Sequence, residues 1–178
     1  MGVFPPSLIP SFPGVVVKDK PPVTPAVRQL RAAGVSFTDH LYEYEEKGGT
    51  AVSASSLGVE ERSVVKTLVM EDDARQPLLV LMHGDRQVST KELARVIGVK
   101  TISPCSPETA TRHTGYMVGG TSPFGTRKAL PIYVERTVLD LPRIYINGGK
   151  RGYLVGLDPA EVVRILQPTL VAVATDKA

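Results

Sequence analysis

The stretch VVKTLVMEDDARQPLLVLMH, residues 64–83, decides the fold. Two apolar runs, Val64–Met70 and Pro77–His83, flank a polar segment that is typical of a turn. Both runs are nearly continuous in apolar residues, which is typical of strands that are covered on both faces. The stretch therefore predicts a hairpin at the centre of a sheet.

Lys66 interrupts the first of these two strands. A lysine ammonium among apolar neighbours needs a partner or an open cavity, because burying an unpaired charge is costly. One interpretation is that the side chain lies at an edge and extends to water along its apolar stem. The other is that it lines a pocket and binds an anion. The apolar residues on both sides of Lys66 favour the pocket.

Helix and strand patterns alternate on either side of the hairpin, which predicts a mixed α/β domain. Thr24, followed by Pro25, is a typical helix start, and Gly34 is a typical residue after a helix end. The other predicted strands are Ser36–Tyr44, Lys100–Ser103, Pro131–Glu135, Arg143–Asn147 and, as the last one, Tyr153–Gly156. The other predicted helices are Thr50–Gly58, Ser89–Gly98, a helical turn at Pro107–Thr114, and one that begins at Asp158 and ends at Leu166.

Composition indicates one soluble domain. The chain has 178 residues, of which 42% are hydrophobic and 22% charged, as in ordinary globular proteins. We expect a flexible, proline-rich arm at residues 1–22, a single domain at 23–167 and a frayed tail at 168–178. No apolar run approaches the ~20 residues that a membrane helix needs, so no membrane partner is expected.

The cysteine and histidine residues argue against metal and disulfide chemistry. A single cysteine, Cys105, excludes an internal disulfide and fits a reducing compartment, so we expect a cytoplasmic protein. Nothing near Cys105 in the sequence supplies a base, and we assign the thiol no chemical role. The three histidines and Cys105 lack the spacing of a zinc site, and no metal or other cofactor is expected.

A second informative stretch is GYMVGGTSPFGTRKAL, residues 115–130. A short apolar run from Tyr116 to Val118, interpreted as a strand, meets two glycines, two hydroxyl residues, a proline and then two cations; these are Gly119, Gly120, Thr121, Ser122, Pro123, Arg127 and Lys128. Glycines let a ligand approach backbone N–H groups, and such amides bind anions. The same residues also form ordinary turns, so the pattern alone leaves both interpretations open.

Positive charge is concentrated around this stretch. Residues 100–152 contain eight basic and three acidic residues, although the whole chain has a net charge of only +3. A second glycine cluster, NGGKRG at residues 147–152, adds another basic pair, Lys150 and Arg151. A basic patch beside a glycine loop indicates an anionic partner such as nucleic acid, whereas the alternative is a solvated basic face.

The sequence contains no GxSxG, P-loop or HExxH motif. What remains is a strand lysine, two glycine-rich turns, hydroxyl groups and cations. Such a site can polarise a carbonyl or hold a phosphate, but it supplies no evident general base or nucleophile.

Five segments resemble the YbaK family of Cys-tRNA(Pro) deacylases, in the same order and spacing from residue 24 to residue 166. They are TPAVRQLRAAGVSF, HLYEY, VVKTLV, GYMVGGTSPFGTRKALPIYVE and IYINGGKRG. The resemblance implies a curved, partly closed mixed sheet flanked by helices. It also implies trans-editing, in which a free-standing enzyme hydrolyses misacylated tRNA that a synthetase has released. The implied partners are the 3′ aminoacyl end of tRNA and prolyl-tRNA synthetase.

The resemblance also implies roles for individual residues. Lys66 matches the family lysine that meets the terminal adenosine or the aminoacyl group, Gly119 the glycine whose N–H faces the ester, and Tyr42 the tyrosine of the first strand. We expect further substrate contacts from Gly120, Thr121, Ser122, Pro123 and Gly149, and tRNA contacts from Arg127, Lys128, Lys150 and Arg151 around one cleft. In the family mechanism the thiol of the substrate cysteine attacks its own ester and releases tRNA.

Two positions depart from the family pattern. Leu154 stands where the family commonly has an aspartate, and Gly48 and Gly49 stand where an aromatic residue usually points to the pocket. Both affect selection of the amino acid. The alternatives are a deacylase for another small residue such as alanine, with water as the attacking group, or a tRNA- or nucleotide-binding module without catalysis.

Overall fold

Strands and short helices alternate along residues 20–177, the part of the chain that the computed structural model describes. The strands are β1 (Thr38–Leu41), β2 (Val64–Asp72), β3 (Pro77–His83), β4 (Arg86–Val88), β5 (Ile102–Pro104), β6 (Ile132–Glu135), β7 (Ile144–Lys150), β8 (Tyr153–Leu157), β9 (Thr169–Val171) and β10 (Ala174–Asp176). The helices are α1 (Pro25–Ala32), α2 (Gly49–Leu57), α3 (Thr90–Ile97), α4 (Pro107–Thr114) and α5 (Pro159–Leu166). The expected arm at residues 1–22 falls almost entirely outside the described residues.

The predicted hairpin is confirmed. Strands β2 and β3 pair antiparallel in continuous register from Val65↔His83 to Glu71↔Pro77. The carboxylate of Asp72 accepts the backbone N–H groups of Ala74 (2.8 Å) and Gln76 (2.9 Å), which fixes the turn between the strands.

The hairpin lies in the middle of a mixed sheet with the strand order β1-β8-β7-β2-β3-β6-β9, and β5 also pairs with β2. The pairs β2–β7, β3–β6 and β6–β9 are parallel, and the others in this sheet are antiparallel. Helices α1 and α5 contribute to the core cluster on one face, and α3 contributes to the cluster that contains Val80 and Met82. The mixed α/β fold predicted from the sequence is thus confirmed.

Helix α1 begins as predicted and also ties two distant segments together. The Oγ1 of Thr24 accepts the N–H of Val27 (3.1 Å) and donates to the carbonyl of Gly148. Pro25 occupies the first helical turn, where its missing N–H costs nothing. Because Gly148 belongs to β7, this cap holds α1 against the second glycine cluster.

The C-terminal segment corrects the expectation of a frayed tail at 168–178, and Tyr153–Gly156 is not in the last strand. Strand β9 pairs with β6, and β10 pairs with β4. The buried carboxylate of Glu135 accepts the N–H groups of Val173 (2.7 Å) and Ala174 (3.0 Å). Val171 and Val173 enter the core beside β3, whereas Ala172 between them is exposed.

A second correction concerns Tyr116–Val118, which is a loop rather than a strand. The Tyr116 side chain is buried, and its hydroxyl donates to the carbonyl of Phe124 (2.6 Å). The N–H of Gly120 donates to the carbonyl of Met117 (2.8 Å), which closes a tight turn. The first strand is also shorter than predicted, since β1 spans only Thr38–Leu41.

None of the helices within residues 20–177 combines the length and the apolar character needed to cross a bilayer.

Removing the Glu135 carboxylate should release the C-terminal strands. We expect Glu135→Ala to lower the free energy of unfolding by about 2 kcal/mol, because two backbone N–H groups, one of them in the buried Val173, lose a charged acceptor. Amide hydrogen exchange at residues 171–176 should also rise. Urea unfolding and exchange mass spectrometry measure both effects. Glu135→Gln keeps an acceptor and should lose less, whereas equal losses in the two variants would contradict the assigned role.

Candidate active site

A cavity of about 950 Å³ opens along the middle of β2. Strand β7 pairs with β2 only at Val64 and Val65, and β5 pairs with it only from Met70 onward. Residues 66–68 therefore have a strand partner only on the β3 side, whereas the carbonyl of Val69 also accepts the N–H of Cys105 (3.0 Å), directly after β5. The floor of the cavity is this uncovered stretch, and its walls come from α2, the loop at 117–121 and the Tyr42–Tyr44 segment.

Lys66 lines this cavity, in line with the pocket interpretation of its sequence position. Burial lowers the pKa of Lys66, and the positive charge of Lys177 lowers it further, while Glu61 and Asp85 act in the opposite direction. A partly desolvated ammonium binds an anion or a developing oxyanion more strongly than a fully hydrated one.

Gly119 lines the same cavity, as does Tyr42. The φ of Gly119 is +88°, which suits glycine, and a Cβ on Gly119 would lie 2.7 Å from the hydroxyl oxygen of Tyr44. The carbonyl of Gly119 accepts the side-chain amide of Asn147 (3.1 Å), which fixes the orientation of the loop. Among residues 20–177, no acceptor bonds to the N–H of Gly119.

The other residues of the glycine loop divide into a lining and a supporting group. Thr121 lines the cavity. Gly120 lies behind it, where a Cβ would come within 2.8 Å of the backbone nitrogen of Arg151. Ser122 is fully buried, and its Oγ accepts the N–H of Phe124 (3.2 Å). Pro123 is also buried and outside the lining. Gly120, Ser122 and Pro123 are therefore placed to hold the loop rather than to face the cavity.

Gly149 is likewise placed for packing. A Cβ on it would lie 2.8 Å from the Tyr116 ring and 3.1 Å from the Cβ of Thr24, and its φ is +98°. The residue therefore allows the second glycine cluster to approach both α1 and the loop, and it does not line the cavity.

The expected ring of four cations around one cleft is not formed. Arg151 lines the cavity, its Nε donates to the carbonyl of Val118 (2.8 Å), and its guanidinium lies 5.1 Å from the centre of the Tyr44 ring. Arg127 lies against Gly115, and the Nζ of Lys128 lies 3.2 Å from Nδ1 of His113. Lys150 is exposed and also outside the lining, although the adjacent Arg151 lines the cavity.

Several residues of the site were missed by sequence reasoning. Glu61 accepts the Thr50 hydroxyl (2.8 Å) and the Lys177 ammonium (2.7 Å), and the bond from Lys177 is the main cause that lowers the pKa of Glu61. Asn147 connects the two glycine clusters, since it bonds to Gly119 and also accepts the N–H of Gly149 (2.7 Å). An asparagine next to Gly-Gly is a turn signal that could have identified the second contact.

Thr67 is another missed residue. It lines the cavity, and its Oγ1 is buried with no hydrogen-bond partner among residues 20–177. A threonine inside an apolar strand, directly after a lysine, was the available signal.

Cys105 also lines the cavity, but the environment of its thiol lowers its reactivity. Burial, reinforced by the negative charge of Glu71, raises the pKa of the thiol to about 11. The thiol is therefore protonated near neutral pH and is a poor nucleophile. This environment agrees with the expectation that Cys105 has no chemical role.

The part of the cavity that departs from the family pattern is apolar. Leu154 is only 4% exposed and forms a buried cluster with Ala54 and Val64. Gly48 is close-packed, since a Cβ there would lie 2.7 Å from Cγ2 of Val52. An aliphatic side chain and a tight helix start thus replace the aspartate and the aromatic residue of the pattern.

The family is decided by a match between residues 45–165 and the model of the family described as "Aminoacyl-tRNA editing domain". The chain belongs to this family. The YbaK-type editing family predicted from the sequence is thereby confirmed, and with it an aminoacyl-tRNA editing deacylase as the class of enzyme.

Relatives extend the match. A protein of Enterococcus faecalis named "Putative Cys-tRNA(Pro)/Cys-tRNA(Cys) deacylase EbsC" is 28% identical over 153 residues, which cover 85% of this chain and 93% of that protein. A proline–tRNA ligase of Streptococcus equi subsp. equi is 30% identical over 128 residues, 70% of this chain but only 21% of the ligase. The solved structure described as "Crystal structure of a putative trans-editing enzyme for prolyl tRNA synthetase" shares the fold, with a TM-score of 0.72, 20% identity, and coverage of 88% of this chain and 100% of that one.

Replacing Lys66 should reveal the cost of its partly buried charge. The pKa of Lys66 lies below 10.5 in the folded protein, so the unfolded chain holds this proton more tightly. Wild-type stability should therefore rise with pH in the window below 10.5. We expect Lys66→Met to be more stable than the wild type near pH 7, with a difference that shrinks as the pH approaches 10.5. Urea unfolding across that range measures the difference.

Lys91→Met, at an exposed lysine on α3, is the matched control and should show no such trend. A constant difference between Lys66→Met and the wild type at all pH values would contradict the inferred burial cost.

Proposed function

We propose that this protein deacylates mischarged Cys-tRNA(Pro) in trans, with Cys-tRNA(Cys) as a second substrate. The observation that carries the proposal is that Lys66 and Gly119 line one cavity, and that no acceptor within residues 20–177 bonds to the N–H of Gly119. An ammonium and a backbone amide are suited to stabilising the oxyanion that forms when an ester carbonyl is attacked. The family and the name of the Enterococcus faecalis relative support the substrate class.

The nucleophile is the thiol of the substrate. Cys105 is not suited to be the attacking group, because its thiol is protonated near neutral pH, and the lowered pKa of Glu61 makes that carboxylate a weaker base. A cysteinyl ester carries its own thiol. When the site holds the ester in place, this thiol lies close to the carbonyl. The sulfur bonds to the carbonyl carbon, the ester C–O bond breaks, and the 3′-oxygen of the ribose takes the thiol proton. Water then opens the cyclic thioester to cysteine.

The role of Lys66 follows from this step. As the thiol loses its proton and the carbonyl oxygen gains charge, the ammonium and the Gly119 amide stabilise the negative charge. The loop does not need to rearrange, because Asn147 and the Met117–Gly120 turn already fix it. Such preorganised donors lower the barrier rather than merely increasing affinity for the substrate.

A role at tRNA(Pro) is supported by the ligase relative, in which a segment similar to this chain makes up 21% of a proline–tRNA ligase. A synthetase site for a small, mainly apolar amino acid cannot strongly reject a near-isostere, so a separate site must remove the error. Prolyl-tRNA synthetase is therefore the proposed source of the substrate and the proposed protein partner.

One observation favours alanine as the alternative. Leu154 and Val64 make the wall of the cavity aliphatic where the family pattern has a carboxylate. An aliphatic wall accommodates a methyl group as well as a thiol-bearing methylene. Alanine has no nucleophile, so a water molecule bound beside Lys66 would have to attack.

Single-turnover deacylation assays should separate these substrates. We expect Cys-tRNA(Pro) to be hydrolysed fastest, Ala-tRNA(Pro) more slowly and Pro-tRNA(Pro) not at all. Lys66→Ala should remove most of the activity. Gly119→Ala should slow the reaction roughly a hundredfold, because a Cβ displaces the N–H donor and meets Tyr44. Cys105→Ser is the control and should retain activity.

Near-wild-type turnover of Lys66→Ala on every mischarged tRNA would overturn the site. Faster hydrolysis of Ala-tRNA(Pro) than of Cys-tRNA(Pro) would establish the alternative substrate.

The effect of replacing each basic residue should depend on whether that residue lines the cavity. Arg151 lines the cavity and Lys128 does not, so Arg151→Ala should raise the KM for mischarged tRNA more than Lys128→Ala does. Each cation that contacts a phosphate should also contribute about 0.7–0.9 to the slope of log affinity against log salt. Filter binding at several salt concentrations measures the slopes. Unchanged slopes in both variants and in Arg127→Ala and Lys150→Ala would indicate a merely solvated basic face.

A further inference from the structure

The C-terminal strand delivers a lysine to the mouth of the cavity. Strand β10 pairs with β4 from Ala174↔Val88 to Asp176↔Arg86, and Arg86 and Asp176 also form an ion pair. Lys177 follows directly and is one of the residues that line the cavity. It lies outside residues 45–165, the segment matched by the family model, so it is a feature of this chain beyond that segment.

Lys177 is held in place rather than extended into solvent. Its Nζ lies 2.7 Å from Oε1 of Glu61, and the same oxygen accepts the Thr50 hydroxyl at 2.8 Å. The Lys177 side chain remains 43% exposed, so its ammonium still has free donors toward the opening. Glu61 thus positions the ammonium at the rim at little entropic cost on binding.

Two lysines of this cavity act on the same carboxylate. Lys66 and Lys177 both lower the pKa of Glu61, and the charge of Lys177 also lowers the pKa of Lys66. Asp85 also opposes the charge of Lys66, so the two lysines are matched by two carboxylates. An anion would therefore be bound through the ammonium donors that Lys177 leaves unused and partly exposed, rather than through an excess of positive charge.

We propose that Lys177 is a second substrate-positioning residue, whose ammonium contacts the phosphodiester joining the last two nucleotides of the tRNA while Lys66 and Gly119 face the ester. The proposal rests on the deacylase function proposed above. In an aminoacyl-tRNA this phosphodiester is the anion nearest to the ester, since both are attached to the terminal nucleoside. Lys177 at the rim would then contact the phosphodiester, and Lys66 on the floor would contact the ester.

The test uses two short oligonucleotides that end in CCA and carry cysteine through a stable 3′ amide. One has a normal phosphodiester at the last linkage, and the other has an uncharged methylphosphonate there. We expect Lys177→Ala to weaken binding of the phosphodiester probe roughly three- to tenfold and to leave binding of the methylphosphonate probe unchanged. Lys177→Arg should restore the affinity. Fluorescence anisotropy measures the affinities of the wild type and both variants for the two probes.

Lys91→Ala is the matched control, since it also removes one exposed lysine but lies on α3 outside the cavity. It should affect both probes slightly and equally. A merely structural role for Lys177 would lower the thermal stability and weaken both probes, which contradicts the proposal. Equal binding of both probes by Lys177→Ala and the wild type also contradicts it.

The same measurements distinguish a failure of the proposed deacylase function from a failure of the role proposed for Lys177. If the wild-type protein binds neither probe, the deacylase proposal is wrong and this inference falls with it. If the wild type binds the phosphodiester probe and Lys177→Ala binds it equally well, only the role of Lys177 is wrong.

Discussion

The cavity depends on one constraint, the incomplete pairing of β2. This strand is hydrogen-bonded to β3 along its length, but on its other side β7 and β5 reach only its two ends. The three residues between them, 66–68, leave an opening of about 10 Å along the strand, because the carbonyl of Val69 already bonds to Cys105. A half-buried lysine is tolerated there because the opening admits water and brings Glu61 and Asp85 close enough to offset its charge. If β7 continued alongside β2, the same lysine would be sealed in without space for a ligand.

The remaining parts of the site are held by contacts between segments that are distant in the sequence. Thr24 at the start of α1 bonds to Gly148, Asn147 bonds to Gly119, and Arg151 bonds to Val118. The first bond holds α1 against the second glycine cluster, and the other two fasten the first glycine loop to that cluster. The glycines are therefore needed for two different reasons, since Gly119 exposes a donor whereas Gly120 and Gly149 allow backbones to approach closely.

Local chemistry made much of the fold predictable. The helix start at Thr24, the helix at Ser89–Gly98 and the two apolar runs of the hairpin are encoded within a few residues, and each formed close to its predicted position. Lys66 could be assigned to a pocket because a charge in an apolar strand needs an explanation. The tail strands were missed because their partners, Glu135 and β4, are far away in sequence. For the same reason, spacing alone could not show that Arg151 lines the cavity while Lys128 lies beside His113.

The topology also has a kinetic consequence. The β2–β3 hairpin closes over a short turn, whereas the β1–β8 and β10–β4 pairs join residues many tens of positions apart, such as Leu41 with Tyr153 and Ala174 with Val88. Distant pairings form slowly, so the hairpin should be present well before the strands that shield it. Until then, the run from Leu78 to Met82 is an uncharged, β-prone segment of the kind that nucleates aggregation. The central position of β3 in the finished sheet, with both edges paired, is what protects the folded protein from self-association through that segment.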